Sequence, residues 1–255
     1  MDIWAWFHRA VSEIRDEGEL DLANKFALFS NEVTNHHHDV VERIYPELLA
    51  AARARGNAWL EVYTRHWYAQ SLYLRDHSAA LLEHAIGTHA FALRDDTAEC
   101  PHSVCVVQDL CMAYASCDGP AYVEQRLSVT AEAFARIDPS WPCYVCLSAE
   151  EACAHVDAGR AHEALVTVRR RIDDVTASAG KLNSHDATVF SKWLAATGDP
   201  TGALDMLGAR AAGEHPFAAE RAITRALAHL SLGDATAAAA VLPSSAVARE
   251  EDEDW

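Results

Sequence analysis

Five short turns along the chain are each followed, at the same distance, by an alanine. Gly18-Glu19 leads to Ala23, Arg75-Asp76 to Ala80, Gly159-Arg160 to Ala164, Gly198-Asp199 to Ala203 and Gly233-Asp234 to Ala238. Four residues further on stand Ala27, His84, Val168, Leu207 and Leu242, mostly apolar. A tight turn between antiparallel helices draws them together, and a small side chain one turn into the second helix permits that approach. The residue four positions later falls on the same face and packs against the first helix. A chain punctuated in this way is constrained to stacked helix pairs.

The rest of the sequence agrees. Alternation of apolar and polar residues never persists, and Ala, Leu, Glu and Arg dominate the long segments. The pattern predicts helices over 3–16, 20–33, 37–54, 57–74, 78–93, 102–116, 120–136, 143–157, 161–178, 184–196, 200–211, 217–231 and 235–241. Gly18, Gly56, Gly119, Gly159, Gly198 and Gly233 mark breaks. Pro46 begins or kinks a helix, because it lacks an amide donor. Asp199-Pro200 reads as a helix start, with Asp as cap and Pro in the first turn. The turns at 159, 198 and 233 are spaced by 39 and 35 residues, and the interval from 75 to 159 spans 84, with Cys117-Asp118-Gly119-Pro120 as its middle turn. Such periods belong to helix-pair solenoids.

GRAHEAL at 159–165 resembles the turn and second-helix start of the tetratricopeptide-type repeat, in the divergent form found in bacterial regulatory proteins. GDPTGALDML at 198–207 and GDATAAAAVL at 233–242 resemble it closely too. The resemblance covers 57–242. It implies an all-α fold, a right-handed superhelical array of antiparallel helix pairs. Residues 1–56 then form divergent or capping N-terminal helices, and 243–255 an acidic C-terminal tail. The family's paired Trp and Leu-Gly of the first helix are mostly missing, and the repeat lengths depart from about 34 residues, so no particular peptide-binding subgroup is indicated.

Composition narrows the function classes. The chain carries 38 Asp and Glu against 21 Lys and Arg, a formal net charge of −17. Such a surface repels phosphate backbones, which argues against general nucleic-acid binding. The consecutive Arg169, Arg170 and Arg171 point in different helical directions and read as a solvated face. No stretch approaches the length of an apolar membrane helix, and the start, MDIWAWFHRA, lacks the basic-then-apolar order of a signal peptide. The expectation is a cytoplasmic protein with no membrane insertion. The seven cysteines, all between 100 and 153, fit a reduced intracellular chain.

Three of those cysteines lie in PCYVCLSAEEACAHVDAGRAHEAL, residues 142–165. At about 100° per residue, Cys143, Cys146 and Cys153 project at about 0°, 300° and 280°, on one helical face. A structural zinc site needs four ligands in most cases. Cys143-x-x-Cys146 is half of one, and a second pair with matching spacing is absent. A redox pair would need a strand leading into the helix. Packing as small hydrophobes therefore remains the favoured account, with no metal and no cofactor expected. His36-His37-His38-Asp39 reads as an interhelical bend, and the adjacent Glu150 and Glu151 do not converge by themselves. No HExxH, GxSxG, phosphate-loop or dinucleotide fingerprint is present.

In the family that the chain resembles, first helices line a concave surface. That likeness implies inward positions at Val62, Arg65, Ala69 and Leu72; Val104, Val107, Cys111 and Tyr114; Cys146, Ala149, Cys153 and Val156; and His185, Thr188, Lys192 and Ala195. Such a groove has an apolar, cysteine-lined middle, Arg65 toward one end and His185 with Lys192 toward the other. It suits a helix or extended peptide with an apolar centre and an acidic terminus. YTRHWYAQSLY at 63–73 packs as an inter-repeat seam or, with Arg65 and His66, presents an aromatic binding surface. The expected function is a non-enzymatic module that binds a protein or peptide, a scaffold or accessory regulator, with oligomerisation open to it. The alternative is an enzyme or small-ligand sensor in which Tyr114, Cys153 and His185 close a pocket.

Overall fold

A computed structural model describes residues 3–141, 143–208 and 218–242. Every regular element among them is helical. The helices are α1 (Ala5–Asp16), α2 (Leu20–Thr34), α3 (His38–Ala54), α4 (Ala58–Leu74), α5 (Ser78–Ala92), α6 (Ser103–Asp118) and α7 (Val123–Phe134), then α8 (Cys143–Asp157), α9 (Ala161–Ala179), α10 (Ser184–Thr197), α11 (Pro200–Leu207), α12 (Ala218–Ser231) and α13 (Ala235–Val241). None is long and apolar enough to cross a membrane. The chain divides into two compact units, Met1–Ala133 and Phe134–Trp255. The dividing point falls inside the stretch that the repeat pattern treats as continuous.

Within each unit, neighbouring helices pack as consecutive antiparallel pairs. The even-numbered helices also touch in sequence, α2 to α4 to α6 in the first unit and α8 to α10 to α12 in the second. Contacts between successive pairs are what a helical-repeat architecture requires.

The turns explain the alanine rule and correct it. Gly18, His36, Gly56, Asp76, Gly159, Gly198 and Gly233 all have positive φ. Most close with the same bonds: Gly18 N–H to Arg15 C=O and Glu19 N–H to Ile14 C=O, Gly159 N–H to Val156 C=O and Arg160 N–H to His155 C=O. This left-handed close satisfies the last carbonyls of the preceding helix. Five residues beyond each left-handed residue lies a buried one: Ala23, Val41, Glu61, Leu81, Ala164, Ala203 and Ala238. At the fourth turn the left-handed residue is Asp76, not Arg75. The phase moves by one, so Leu81 is buried and Ala80 is exposed. Ala27 and Leu242, expected at the following contact, are exposed as well, whereas Val168 and Leu207 are buried.

Asp199 caps α11 as expected, its Oδ1 accepting from Gly202 N–H at 2.9 Å with Pro200 in the first turn. Asp234 and Asn183 cap α13 and α10 in the same way. The helix expected over 120–136 is split: a 3₁₀ turn over Gly119–Tyr122 precedes α7. The one expected over 200–211 ends at Leu207 because Gly208 turns away with φ 64°; residues 209–211 lie outside the described residues, as does the acidic tail. Pro46 neither starts nor ends a helix. It sits on the exposed side of α3, while Val41, Ile44, Leu48 and Ala52 pack the opposite side and hold the helix through it.

The two cores differ in substance. In the first unit Phe7 stacks on Tyr63 at 4.1 Å, Phe26 and Phe29 are fully buried, and Tyr63 Oη donates to Phe26 C=O at 3.4 Å. In the second, alanines 152, 164, 203 and 228 occupy helix contacts beside Val168, Phe190 and Leu194.

Candidate functional site

In the second unit, α8, α10 and α12 bring several candidates to one region. Cys146 stands one turn into α8, where burial, then Cys143, Glu150 and Asp186, push its thiol up to about 12. Such a thiol is neutral and unreactive at ordinary pH. Cys143 is buried, and Cys153 Sγ contacts Asp157 Oδ2 at 3.8 Å. Cys146 and Cys153 are half-buried. Among the described residues no group of three or more His, Cys, Asp or Glu is arranged to hold a metal ion.

His185, next along this region, has its Nδ1 3.3 Å from Asp186 Oδ1. That hydrogen bond, with the charges of Asp186 and Glu220 and against partial burial, raises its pKa. The Asp186 and Glu220 carboxylates give the surroundings of His185 a negative field. Lys192 is exposed, 5.9 Å from the Trp193 ring. Thr188 is buried; it donates to Ser184 C=O and accepts from Arg221.

Sequence reasoning overlooked α12. Glu220, Ile223, Leu227 and Leu230 follow a three-four-three spacing, which places them on one stripe. Ile223, Leu227 and Leu230 are 51%, 51% and 54% exposed, while Ala222, Thr224, Ala226 and Ala228 on the other sides are buried. The spacing was visible in AERAITRALAHL. What hid it was that the buried positions are alanine and threonine, so the large apolar residues look like the core.

In the first unit the candidates fall mainly inside. His66 is buried with Nδ1 2.8 Å from Asp109 Oδ2, and Gln70 donates to the other carboxylate oxygen at 2.6 Å. Ala69 and Cys111 are buried; Cys111 Sγ lies 3.9 Å from Arg126 C=O. Arg65 donates to Glu61 Oε1 at 2.6 and 2.9 Å and covers the Phe91 ring at 4.9 Å. Although burial works against it, the hydrogen bonds from Arg53 and Arg65 hold the Glu61 carboxyl below its usual range. Tyr114 is partly exposed and stacks on Tyr122 at 4.7 Å. The aromatic run 63–73 forms a seam: Tyr63 and Trp67 pack against Trp4, and Tyr68 stacks on Tyr45 at 3.8 Å. Tyr114 belongs to the first unit, Cys153 and His185 to the second.

Two further expectations are resolved locally. The arginine run is ion-paired instead of merely solvated. Arg169 reaches Asp199 at 2.9 Å and Arg170 reaches Glu151 at 3.3 Å. Arg171, mostly buried, reaches Glu151 at 2.8 Å, with its guanidinium 3.5 Å from the Phe134 ring centroid. The triple histidine is the α2–α3 bend: His36 has φ 57°, His37 pairs with Glu32, and His38 meets Ser71. No protein-family model matches this chain, and no curated protein or solved structure matches it either.

Proposed function

We propose that the protein is a non-enzymatic interaction module whose second unit docks an amphipathic helix or peptide on the outer stripe of α12. The observation that carries this reading is the half-exposed row Ile223, Leu227 and Leu230. A three-four apolar row is the geometry by which one helix seats another. Glu220 extends the row toward His185 and Asp186, and the negative field there favours a partner with basic residues at that end, not the acidic terminus that His185 and Lys192 suggested from sequence. The proposal includes the finer architecture, a tetratricopeptide-type right-handed stacking of the helix pairs in each unit, and the role of scaffold or accessory regulator.

The test is affinity capture from native cell extract with three folded proteins: wild type, Leu227→Glu, and Leu28→Glu as a control on an equally exposed leucine of the first unit. A stoichiometric partner kept by Leu28→Glu and lost by Leu227→Glu is the expected result. Loss in both variants, or in neither, rules out the α12 stripe. Arg65→Glu is unsuitable as a probe, because it would set a second carboxylate against buried Glu61.

A further inference from the structure

An aromatic cluster in the first unit holds two buried donors that find no acceptor among the described residues. His102, fully buried just before α6, is edge-on to Trp4 at 4.9 Å, Trp6 at 5.4 Å and Tyr63 at 5.6 Å. His66 lies 6.0 Å from it, and Trp67 stacks on Trp4 at 6.3 Å. Trp6 Nε1 donates to His102 Nδ1 at 3.3 Å. An indole nitrogen can only donate, so Nδ1 supplies the lone pair and the proton of the neutral ring sits on Nε2. That Nε2–H is buried and meets no acceptor among the described residues; the same is true of Trp67 Nε1–H.

Buried donors are almost always satisfied, and where protein groups are missing an internal water supplies the acceptor. We propose that this chamber, between α1, α4 and the start of α6, binds buried water, which accepts from His102 Nε2–H and from Trp67 Nε1–H. The charges around it favour water over an anion. His102 is neutral, since burial and the nearby His66 lower its pKa to about 3. Asp109, buried and bonded to His66, disfavours a second negative charge beside that ring. The chamber is thus a hydrated polar pocket within an aromatic core.

The test is nuclear magnetic resonance on the intact protein at neutral pH. Long-range nitrogen–proton correlation should place the His102 proton on Nε2, and a rotating-frame cross-peak should connect that proton to water. Trp67→Phe keeps an aromatic ring beside Trp4 and removes one donor; it should lose the indole–water contact and leave the His102 contact in place. A proton on Nδ1, an Nε2–H without a water contact, or His102 resonances that move with added phosphate or chloride would each overturn the proposal, the last by identifying an anion instead.

Discussion

The two units close their helix pairs with different materials. The second places glycine at each short turn, Gly159, Gly198 and Gly233, and alanine at each crossing that follows. Glycine takes the left-handed conformation without a Cβ clash, and alanine lets helix axes approach closely. The first unit places His36 and Asp76 at two of its left-handed positions and, apart from Ala23 after Gly18, fills its crossings with Val41, Glu61 and Leu81. There the space between helices is taken up by Tyr63, Phe7, Phe26 and Phe29, and by buried polar pairs such as His66–Asp109. One architecture therefore tolerates either small or large side chains at its crossings. In the first unit the cost is buried charge, as at Glu61 and Asp109, and left-handed strain at the exposed turn residues His36 and Asp76.

The largest expected effect breaks the small-residue side of the contrast. Ala164 is fully buried at the crossing of α8 and α9, so Ala164→Trp should cost about 1–3 kcal/mol or more by overpacking. Ala161→Trp, on the exposed side of the same helix, should stay within about 0.5 kcal/mol. Thermal or urea melts of both decide it, and equal stability of Ala164→Trp and wild type would remove the close-approach explanation.

Acid should act next most strongly, and on the first unit. The folded pKa of His102 is about 3 against an ordinary 6.5, so the unfolded chain binds more protons between those values and stability falls as pH drops below about 6.5. At pH 5 the loss is about 2 kcal/mol. His84, also lowered by burial, works in the same direction. His185 in the second unit is raised, so its contribution is fully present below its unfolded pKa and is lost only as pH rises through the folded one. Hydrogen exchange at pH 5 and pH 7.5 should therefore show protection falling in α1, α4 and α6 while α10 keeps its own. Uniform loss across both units would contradict the assignment.

The smallest effect tests the strained turns. Asp76→Gly should stabilise the protein by about 0.5 kcal/mol by relieving a positive φ, and Gly159→Asp should cost a similar amount. Calorimetry of the pair would show opposite shifts in Tm.

What was legible in the sequence follows from the same contrast. Most helix limits were readable to within two residues because Gly, Asp and Asn mark the ends. The crossing residue was readable after four of the glycine turns, at Ala23, Ala164, Ala203 and Ala238, but not after Gly56, where it is Glu61 instead of alanine. It failed at Ala80 because Asp76, not a glycine, adopts the left-handed conformation, and nothing local separates it from Arg75. The site was less legible. Burial of His66, Ala69 and Cys111 depends on which helix lies opposite, a fact held at sequence distances such as that between His66 and Asp109. The α12 stripe was hidden for the opposite reason: its large apolar residues point outward.

The cap of α11 carries a consequence of another kind. Asp199 Oδ1 holds Gly202 N–H while Oδ2 holds Arg169 of α9 at 2.9 Å. A Cβ built on Gly202 would overlap that same carboxylate. A side chain at 202 would therefore push the Asp199 carboxylate aside, and because the same carboxylate holds Arg169, that one change would loosen the cap of α11 and the tie between α9 and α11 together.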